Sequence, residues 1–405
     1  MRKLDFDSLH TANKARMRDI NETIVLNLIR EHQPISRVQI TRTTGLKIST
    51  VTVITRRLIE KGLIVEQGVA PSNGGRKPRL LGLRPEKVCV IGIDIGVTRT
   101  TLALGDFNGE IIHQQFLTTG RRPLPFIEKL IERVEQLIES QKDNVEFEGI
   151  GISATGIVDS ASGRVVFSPN LGWRDVDLRA MFEKRLPLPV TVDNDARASA
   201  LAEIWHGRGR EAGSMHLVFV TVNEGVGTGI VAGGQLFRGS SEGAGEYGHL
   251  SLDHNGPVCN CGNRGCWELY ASDRATINRF LKLRRKAGAA DGKSDDAYTI
   301  RDVIRLAKSG DRAARSSLLA TAKYLALGIA NIVNSLNPEM VVVGGDLAGV
   351  WPMLEPVVTE TLQPKVFARN FAAVHVVPSA LEFNASLVGA FLHALSPRLS
   401  VGKVA

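Results

Sequence analysis

Cysteine, aromatic side chains and long apolar runs are all scarce in this chain of 405 residues. Four cysteines are too few for a disulfide framework, and only 5% of the residues are aromatic. The N-terminal residues contain no apolar run of signal-peptide length, so we expect a cytoplasmic protein without membrane insertion. A composition with 43% hydrophobic and 23% charged residues excludes a disordered, collagenous or membrane-spanning chain and indicates a globular protein of several domains.

An excess of positive charge is also missing from most of the sequence, although the whole chain carries a formal charge of +8. Residues 1–87 contain 17 lysines and arginines against eight aspartates and glutamates, a net charge of +9, whereas the remaining residues contain 33 against 34. The basic excess therefore belongs to one end of the chain. Such an asymmetry predicts a nucleic-acid or other anionic partner for the N-terminal segment alone.

The N-terminal segment has the pattern of a helix-turn-helix. Between Asn13 and Arg30, apolar residues recur at the spacing of an amphipathic helix, namely Met17, Ile20, Ile24, Leu28 and Ile29. Ser36 predicts the N-cap of a short second helix, and Gly45 predicts the turn that ends it. A third helix from Thr50 to Lys61, with Ser49 as its N-cap, would bury Val51, Ile54 and Leu58.

The outer face of the third helix and the hairpin that follows it supply the predicted DNA contacts. The hairpin has a basic, glycine-rich tip, or wing, which is narrow enough to place Arg76 in a minor groove. The side chains expected to reach base edges or phosphates are Lys47, Ser49, Thr50, Thr52, Val53, Arg56, Arg57, Arg76 and Lys77. The alternative is a helical bundle with a solvated basic face, but helices, turn, wing and charge agree on one DNA-binding module.

From Val88 onward, apolar strands repeatedly end in glycine or polar residues. The first ends in Asp94-Ile95-Gly96-Val97-Thr98, where a carboxylate can hold Mg²⁺ through water and backbone N–H groups can face a phosphate. A strand and turn of this composition can equally be structural. Because strand pairs followed by helices occur twice, we predict two related α/β halves that face a central cleft, with a ligand between the carboxyl ends of strands.

Three of the four cysteines cluster in the sequence near one histidine. His249, Cys259, Cys261 and Cys266 supply three thiolates and one imidazole, a closed tetrahedral set that suits a structural Zn²⁺ ion. In a cytosolic chain such clustering favours a metal over a disulfide. The alternative is a group of three buried cysteines without metal.

Six segments taken together resemble the ROK family of repressors and sugar kinases. They are Asp94-Ile95-Gly96-Val97-Thr98, Asn170-Leu171-Gly172-Trp173, Asn194-Asp195-Ala196, Gly227-Thr228-Gly229, Gly245-Glu246-Tyr247-Gly248-His249, and the cysteine segment from Cys259 to Glu268. Their order and spacing match over about residues 88–395, and a linked set is far more specific than a lone motif. The family's sugar kinases lack the N-terminal module that its repressors carry, so the chain resembles a repressor.

The resemblance implies an α/β fold in which an N-terminal winged helix-turn-helix domain, residues 1–87, precedes an actin/hexokinase-like (ribonuclease H-like) two-lobed α/β domain. The first lobe would comprise residues 88–200 together with a C-terminal helix at 384–396, and the second lobe, with the zinc site, residues 201–383. The resemblance also implies that sugar hydroxyls contact Gly156, Asn170, Asn194, Asp195, Glu246, His249 and Glu268.

In the family's kinases the carboxylate that matches Asp195 is the general base, so Asp195 would be catalytic only if this chain is a kinase. An ATP-like phosphate site would use Asp94, Gly96, Thr98, Gly227, Thr228, Gly229, Gly344 and Gly345. The chain departs from the kinase pattern at Val97, where the kinases have glycine, and at Arg197, where they typically have asparagine. Because a β-branched side chain obstructs backbone approach to phosphate, we expect sugar binding without turnover and no working role for ATP or Mg²⁺.

These observations predict a sugar-responsive repressor of carbohydrate uptake or catabolism genes. It would bind palindromic operator DNA as a homodimer or tetramer, and sugar would close the cleft and move the two DNA-binding domains through the helix from Thr11 to Arg30. One alternative is an ATP-dependent, glucokinase-like sugar kinase that carries a DNA-binding module. A second is control by a sugar-transport protein instead of a free sugar.

Overall fold

The computed structural model describes residues 14–69, 77–84, 88–288, 298–381 and 385–399. Arg76, predicted to lie in the wing, falls outside the described residues. The described strands form four sheets, two with five strands and two with three. The predicted mixed α/β fold with an N-terminal winged helix-turn-helix is confirmed.

The head, residues 14–84, consists of three helices and a small sheet with a wing hairpin. Its elements are α1 (Lys14–His32), β1 (Ile35–Ser36), α2 (Arg37–Thr44), α3 (Ile48–Glu60), β2 (Ile64–Val69) and β3 (Arg79–Leu83). The strand order is β1-β3-β2. The helices close over a core in which Ile40, Leu58 and Leu81 are fully buried.

The sequence predicted the ends of the second helix correctly but misplaced the start of the third helix. Ser36 caps α2 through a reciprocal capping box with Gln39, and Gly45 follows in the left-handed region at φ 70°. The predicted cap at Ser49 is wrong, because α3 begins at Ile48 and its N-cap position, Lys47, makes no side-chain cap hydrogen bond. The third helix is held by its buried face instead.

The predicted apolar stripe of the first helix is partly wrong. Met17 is 46% exposed, while Val25 and Leu26 are buried beside Ile29. The stripe follows the residues that meet α2, α3 and the body of the protein, since tertiary contacts and not periodicity alone decide which apolar residues are covered.

The body, residues 88–399, contains two five-stranded sheets of the same topology. Each is an antiparallel meander of three strands, with two further strands added in parallel to the meander's first strand. The order is β11-β7-β4-β5-β6 in the first sheet and β14-β13-β12-β15-β16 in the second. The predicted duplication into two α/β halves is therefore present in the strand order itself.

The elements of the first half include a small three-stranded sheet beside the large one. They are β4 (Val88–Ile95), β5 (Arg99–Asp106), β6 (Ile111–Thr118), α4 (Pro123–Gln141), β7 (Glu146–Ala154), β8 (Ile157–Asp159), β9 (Arg164–Ser168), β10 (Trp173–Asp177), α5 (Leu178–Glu183), β11 (Val190–Asn194) and α6 (Asp195–His206). The second half adds α7 (Arg208–Ala212), β12 (Leu217–Val222), β13 (Val226–Ala232), β14 (Gln235–Leu236), α8 (Glu268–Ala271), α9 (Asp273–Lys286), α10 (Ile300–Lys308), α11 (Arg312–Leu336), β15 (Met340–Gly345), α12 (Trp351–Leu362), α13 (Ala368–Ala373), β16 (His375–Pro378) and α14 (Ala385–Leu399).

Two helices, α6 and α14, lie between the large sheets and pack against each other. α14 also packs on β4 and β7, while α6 packs on β12 and β13. The contact is too close for side chains at one point, where a Cβ atom at Gly389 would overlap the carbonyl oxygen of Ala198. The predicted lobe boundary at residue 200 falls inside α6, and the domain boundaries stay a prediction.

One helix, α11, is long and apolar enough to cross a membrane by length and composition. Its most apolar window is 61% buried within the second half, where Leu318, Leu325 and Ile329 belong to the core. A mostly buried helix of this kind is typical of the core of a soluble domain.

Candidate functional site

The carboxyl ends of the parallel strands β4, β7 and β11 meet where the first half of the body faces the second, and this region is the cleft. Across β4, β7 and β11, Asp94 pairs with Ser153, and Ser153 pairs with Asp193. The Ser153 hydroxyl donates to Asp94 Oδ1 at 2.6 Å. Asn194 and Asp195 follow directly, so the predicted carboxylates of the first half lie side by side.

The start of α6 fixes the two central residues of the site. α6 begins at Asp195 because Asn194 caps it, accepting hydrogen bonds from the N–H groups of Ala196 and Arg197. The Asn194 amide nitrogen donates to the Gly156 carbonyl and to Asp195 Oδ1, each at 2.9 Å. The Asp195 carboxylate is therefore held in one orientation.

Asp195 is a half-buried carboxylate among other acids. Burial, and after it the charge of Asp94, raises the pKa of Asp195 to about 7. Burial also raises the pKa of Asp94 and of Glu246, which faces Asp195 from the second half. At neutral pH Asp195 is therefore partly protonated, so this cleft can both accept hydrogen bonds from hydroxyl groups and donate one to them.

The second half contributes the imidazole of His249 and two carboxylates that lie beside it. His249 Nε2 is 4.0 Å from Glu246 Oε2, and His249 Nδ1 is 3.6 Å from Glu268 Oε1. A Cβ atom at Gly225 would lie 2.8 Å from Glu268 Oε2 and 3.4 Å from the Asn170 amide nitrogen, so Asn170 reaches this group from the first half.

Gly156 completes the predicted sugar-contacting set by its backbone. Its φ of 107° lies in a region that favours glycine, and a side chain there would overlap Phe167 and Ser168 of β9. The structure thus brings together all seven residues predicted to contact a sugar, from both halves of the body.

The four predicted metal ligands converge on one point. The ligand atoms of His249, Cys259, Cys261 and Cys266 all lie within 4.8 Å of one another. Cys261 Sγ is 3.7 Å from Cys266 Sγ, and Cys259 Sγ is 3.7 Å from His249 Nδ1. Because His249 turns Nδ1 to the thiols and Nε2 to Glu246, one ring joins this cluster to the cleft.

The predicted phosphate residues divide into two groups. Asp94, Gly96 and Thr98 lie at the end of β4, at the cleft. Gly227, Thr228 and Gly229 lie inside strand β13 and not in a loop, and Gly229 packs against the Ala196 backbone of α6. Gly344 and Gly345 end β15, where they pack against Phe219 and the Val222 carbonyl. Packing explains the glycines at these positions, and a part of the five residues in phosphate binding stays a prediction.

Glu224, in the turn between β12 and β13, is a further cleft residue that was not predicted from the sequence. Its carboxylate accepts a hydrogen bond from the Thr98 hydroxyl at 3.1 Å, a contact between the two halves. The signal was present as Asn223-Glu224-Gly225, a turn directly after a buried strand, but its closeness to Thr98 depends on how the two sheets face each other.

A buried ionic cluster beside the cleft was not predicted either, although the sequence showed Arg197 as a departure from the kinase pattern. Arg197 Nε donates to Asp193 Oδ1 at 2.7 Å, and its other nitrogens donate to the carbonyls of Glu242 and Val158, also at 2.7 Å. Arg238 donates to Asp193 Oδ2 at 2.6 Å and to Glu242 Oε2 at 3.1 Å. Burial would raise the pKa of Asp193, but His393 and the two arginines hold it below its ordinary value.

The outer face of α3 presents most of the predicted DNA contacts to solvent. Lys47, Ser49, Arg56 and Lys77 are exposed, and Thr50, Thr52 and Arg57 are half-buried. The Thr52 hydroxyl donates to the Ile48 carbonyl at 2.8 Å, inside its own helix.

The C-terminal end of α1 contacts the C-terminal end of α6. The Arg30 guanidinium lies 4.2 Å from the ring centroid of Trp205, and Arg210 donates to the Glu31 carbonyl at 3.3 Å. Two nitrogens of Arg30, Nε and Nη1, are buried without a hydrogen-bond partner among the described residues. Burial and neighbouring cations lower the pKa of His206 to about 4, so this ring is neutral at pH 7.

The fold and site define a DNA-binding head joined to a two-lobed body with a polar cleft. The winged helix-turn-helix DNA-binding model matches residues 18–65, and the ROK family model matches residues 90–396. The chain belongs to the ROK family.

Known members resemble the chain along its full length or in the body alone. The xylose repressor of Caldicellulosiruptor bescii is 33% identical over 395 residues, which cover 96% of this chain and 98% of that protein. A crystal structure of a ROK family transcriptional regulator, a homologue of the E. coli MLC protein, superposes with a TM-score of 0.81 at 27% identity and covers 96% of this chain and 98% of that one. The ROK family glucokinase of Streptomyces griseus, in complex with glucose and AMPPNP, has a TM-score of 0.67 at 29% identity and covers 75% of this chain and 98% of its own.

Replacing Asp195 by asparagine should raise the melting temperature of the protein at neutral and alkaline pH. Asn has nearly the same shape and buries no charge. The Asp195 pKa is about 7 in the folded chain against an ordinary 3.8, so the folded chain keeps the proton between these values and wild-type stability falls across that interval. The advantage of Asp195→Asn should be absent below about pH 4, grow up to about pH 7 and then level off.

Differential scanning fluorimetry across this pH range measures the effect. Asp143→Asn, at an exposed aspartate, is the control and should show no such pH dependence. A stability difference between wild type and Asp195→Asn that stays constant with pH would contradict the assignment of a raised pKa.

Proposed function

We propose that the chain is a sugar-responsive transcriptional repressor of carbohydrate uptake or catabolism genes. The observation that carries this proposal is one apolar core that joins the DNA-binding head to the body that holds the cleft. Leu81 and Leu83 of the head belong to the same buried cluster as Val90, Leu387 and Phe391 of the body. A head packed in this way can respond to a change in the body, since the two share their core side chains.

D-xylose is the sugar we propose first, because the xylose repressor of C. bescii is similar along nearly the whole chain. A sugar hydroxyl both donates and accepts a hydrogen bond. Asp195, Glu246 and Glu268 offer acceptors, and the amide of Asn170 offers both a donor and an acceptor. The Asn194 amide already bonds to Gly156, Asp195 and the first turn of α6, so its part is to hold Asp195 in place.

Zn²⁺ is the proposed structural cofactor of the Cys/His cluster. Sulfur ligands of a tetrahedral zinc ion with bonds of about 2.3 Å lie about 3.8 Å apart. The 3.7 Å between Cys261 Sγ and Cys266 Sγ fits this value, and four protein ligands leave no open position for catalysis. In this proposal the ion fixes the His249 ring and thereby the second half's wall of the sugar site.

The proposed function does not include phosphoryl transfer. A carboxylate at Glu224 beside Thr98 would repel a phosphate at the loop where a nucleotide would need to bind. Val97 adds a β-branched side chain to the same loop. Asp195 would then serve as a hydrogen-bond acceptor for a sugar hydroxyl and not as a general base.

Operator DNA is the proposed partner of the head, bound by a homodimer on a palindrome with half-sites about 34–36 Å apart or a multiple of that distance. A cytoplasmic location belongs to the same proposal. Tetramer formation and docking of a sugar-transport protein stay predictions from the sequence.

We assign transmission between the sugar site and the head to α6. Its first turn carries Asp195, and its last turn carries Trp205, which stacks on Arg30 of α1. The 12 residues of α6 span about 18 Å and form a rigid connection. A desolvated cation–π contact of about 2 kcal/mol is comparable to a typical allosteric coupling of 1–3 kcal/mol.

Sugar binding should raise the melting temperature of the purified protein, because a ligand that binds only the folded state stabilises it by mass action. We expect the largest shift with D-xylose in a fluorimetric screen of pentoses, hexoses and amino sugars. Glu246→Gln should reduce the shift while operator binding without sugar is unchanged. No shift with any sugar, in a folded protein that binds its operator, would contradict a sugar-responsive function.

Cys261→Ser should lower both the zinc content and the sugar affinity. Removal of one thiol opens the ligand set and frees the His249 ring, and loss of such a positioning contact typically costs about 10- to 100-fold in affinity. Mass spectrometry of the metal and calorimetric titration with the sugar measure the two effects. Cys89→Ala, a thiol outside the cluster, should keep one zinc per chain. Unchanged sugar affinity in zinc-free Cys261→Ser would refute the structural role of the ion.

Arg30→Met should uncouple the head from the sugar site. Methionine keeps the apolar stem against Trp205 but carries no cation, so sugar affinity and sugar-free operator affinity should stay near wild type. The factor by which sugar changes operator affinity should fall to within about twofold of unity. Arg18→Met, at an exposed arginine of the same helix, is the matched control. Fluorescence anisotropy of labelled operator with and without sugar measures the factor, and an undiminished value would exclude this contact as the route.

A further inference from the structure

The centre of the exposed face of α3 is apolar. Val53 is 48% exposed and Ile48 is 49% exposed, whereas Val51, Ile54 and Leu58 of the same helix are buried in the head's core and Ile59, near its C-terminal end, is 36% exposed. On a helix, Ser49 and Arg56 are the neighbours of Val53 at spacings of four and three residues. An apolar side chain therefore occupies the middle of the surface that the helix-turn-helix turns towards DNA.

The half-buried Thr52 precedes Val53 on the same helix. Its hydroxyl donates to the Ile48 carbonyl within the helix, so the side-chain proton is already engaged in a hydrogen bond. The Thr52 proton is therefore not free to form a hydrogen bond with a base edge, although Thr52 was predicted to contact DNA.

Positive charge surrounds the apolar centre. Lys47 precedes Ile48, Arg56 lies one turn beyond Val53, and Arg42 is exposed on α2. Cations at the rim suit phosphates on either side of a groove. The occupant that matches an apolar centre with a basic rim is the major groove of DNA, which the net charge of the head also favours.

Only one base carries an apolar group into the major groove, namely thymine with its C5-methyl. We infer that Val53 and Ile48 select thymine in the operator half-site by apolar contact with this methyl group. The inference rests on the proposed operator binding and adds the chemical basis of its sequence preference.

The test begins with selection of duplexes by the full-length protein from a random library. In the enriched duplex, each thymidine is then replaced by deoxyuridine, which pairs identically but lacks the methyl group. Loss of one buried methyl should weaken binding of the wild-type protein about fourfold at one or two positions of each half-site. Anisotropy titration at fixed salt measures the ratio of the two dissociation constants.

The variants distinguish this contact from general DNA affinity. Val53→Ala and Ile48→Ala, both at exposed positions, should bind the thymidine duplex more weakly and bring the thymidine-to-deoxyuridine ratio at their own position close to one. Arg56→Met is the control. It should weaken binding to both duplexes equally, keep the ratio, and reduce the salt dependence by about one phosphate contact. Circular dichroism confirms that each variant is folded.

Two results would overturn the inference. One is an enriched duplex whose binding is insensitive to every methyl replacement. The other is methyl sensitivity that persists undiminished in both Val53→Ala and Ile48→Ala. A library from which nothing is enriched would overturn the proposed operator binding as well, so the two failures are distinguishable.

Discussion

The contact between α6 and α14 is the constraint on which the rest of the structure depends. The absence of a side chain at Gly389 lets one helix lie against the backbone of the other, and each helix covers one of the two large sheets. The same pair reaches the functional regions. α6 begins at the cleft with Asp195 and ends against α1, while α14 contributes Leu387 and Phe391 to the core shared with the head. Cleft, sheets and head are therefore parts of one packed unit.

The buried charged side chains at the two ends of α6 differ in their hydrogen-bond partners. Near the cleft, Arg197 and Arg238 are matched by Asp193 and Glu242. Two nitrogens of Arg197 also donate to backbone carbonyls, and such additional hydrogen bonds are the condition under which buried ion pairs are tolerated. At the other end, Arg30 is packed on an aromatic ring and two of its nitrogens have no acceptor among the described residues. The first arrangement holds the cleft residues in place. The second leaves two donors without acceptors among the described residues and is therefore less stabilising, as expected of a contact that rearranges when the body changes conformation.

Much of the site could be predicted because its residues follow local signals. Asn194 and Asp195 stand where a strand meets a helix, and the Cys-x-Cys segment of the Cys/His cluster has a spacing that few other structures require. Arg238 and His393 carry no such signal, since each acts through a partner on another element. Glu224 follows a strand in a recognisable turn, but nothing local indicates its contact with Thr98. Gly227, Thr228 and Gly229, which the resemblance assigned to an ATP-like phosphate site, lie within strand β13, where Gly229 packs on α6.

The sequence by itself determined the winged helix-turn-helix, the two α/β halves, the likeness to the ROK family and the residue types of the cleft. Periodicity, caps and motif spacing depend on residues that are close in the sequence, so they can be recognised without the structure. Only the tertiary structure decided that Met17 is exposed, that Glu224 meets Thr98, that His249 joins the thiols to the cleft, and that Trp205 stacks on Arg30. Each of these depends on how distant elements face one another, and packing of whole sheets and helices, not local preference, sets that geometry.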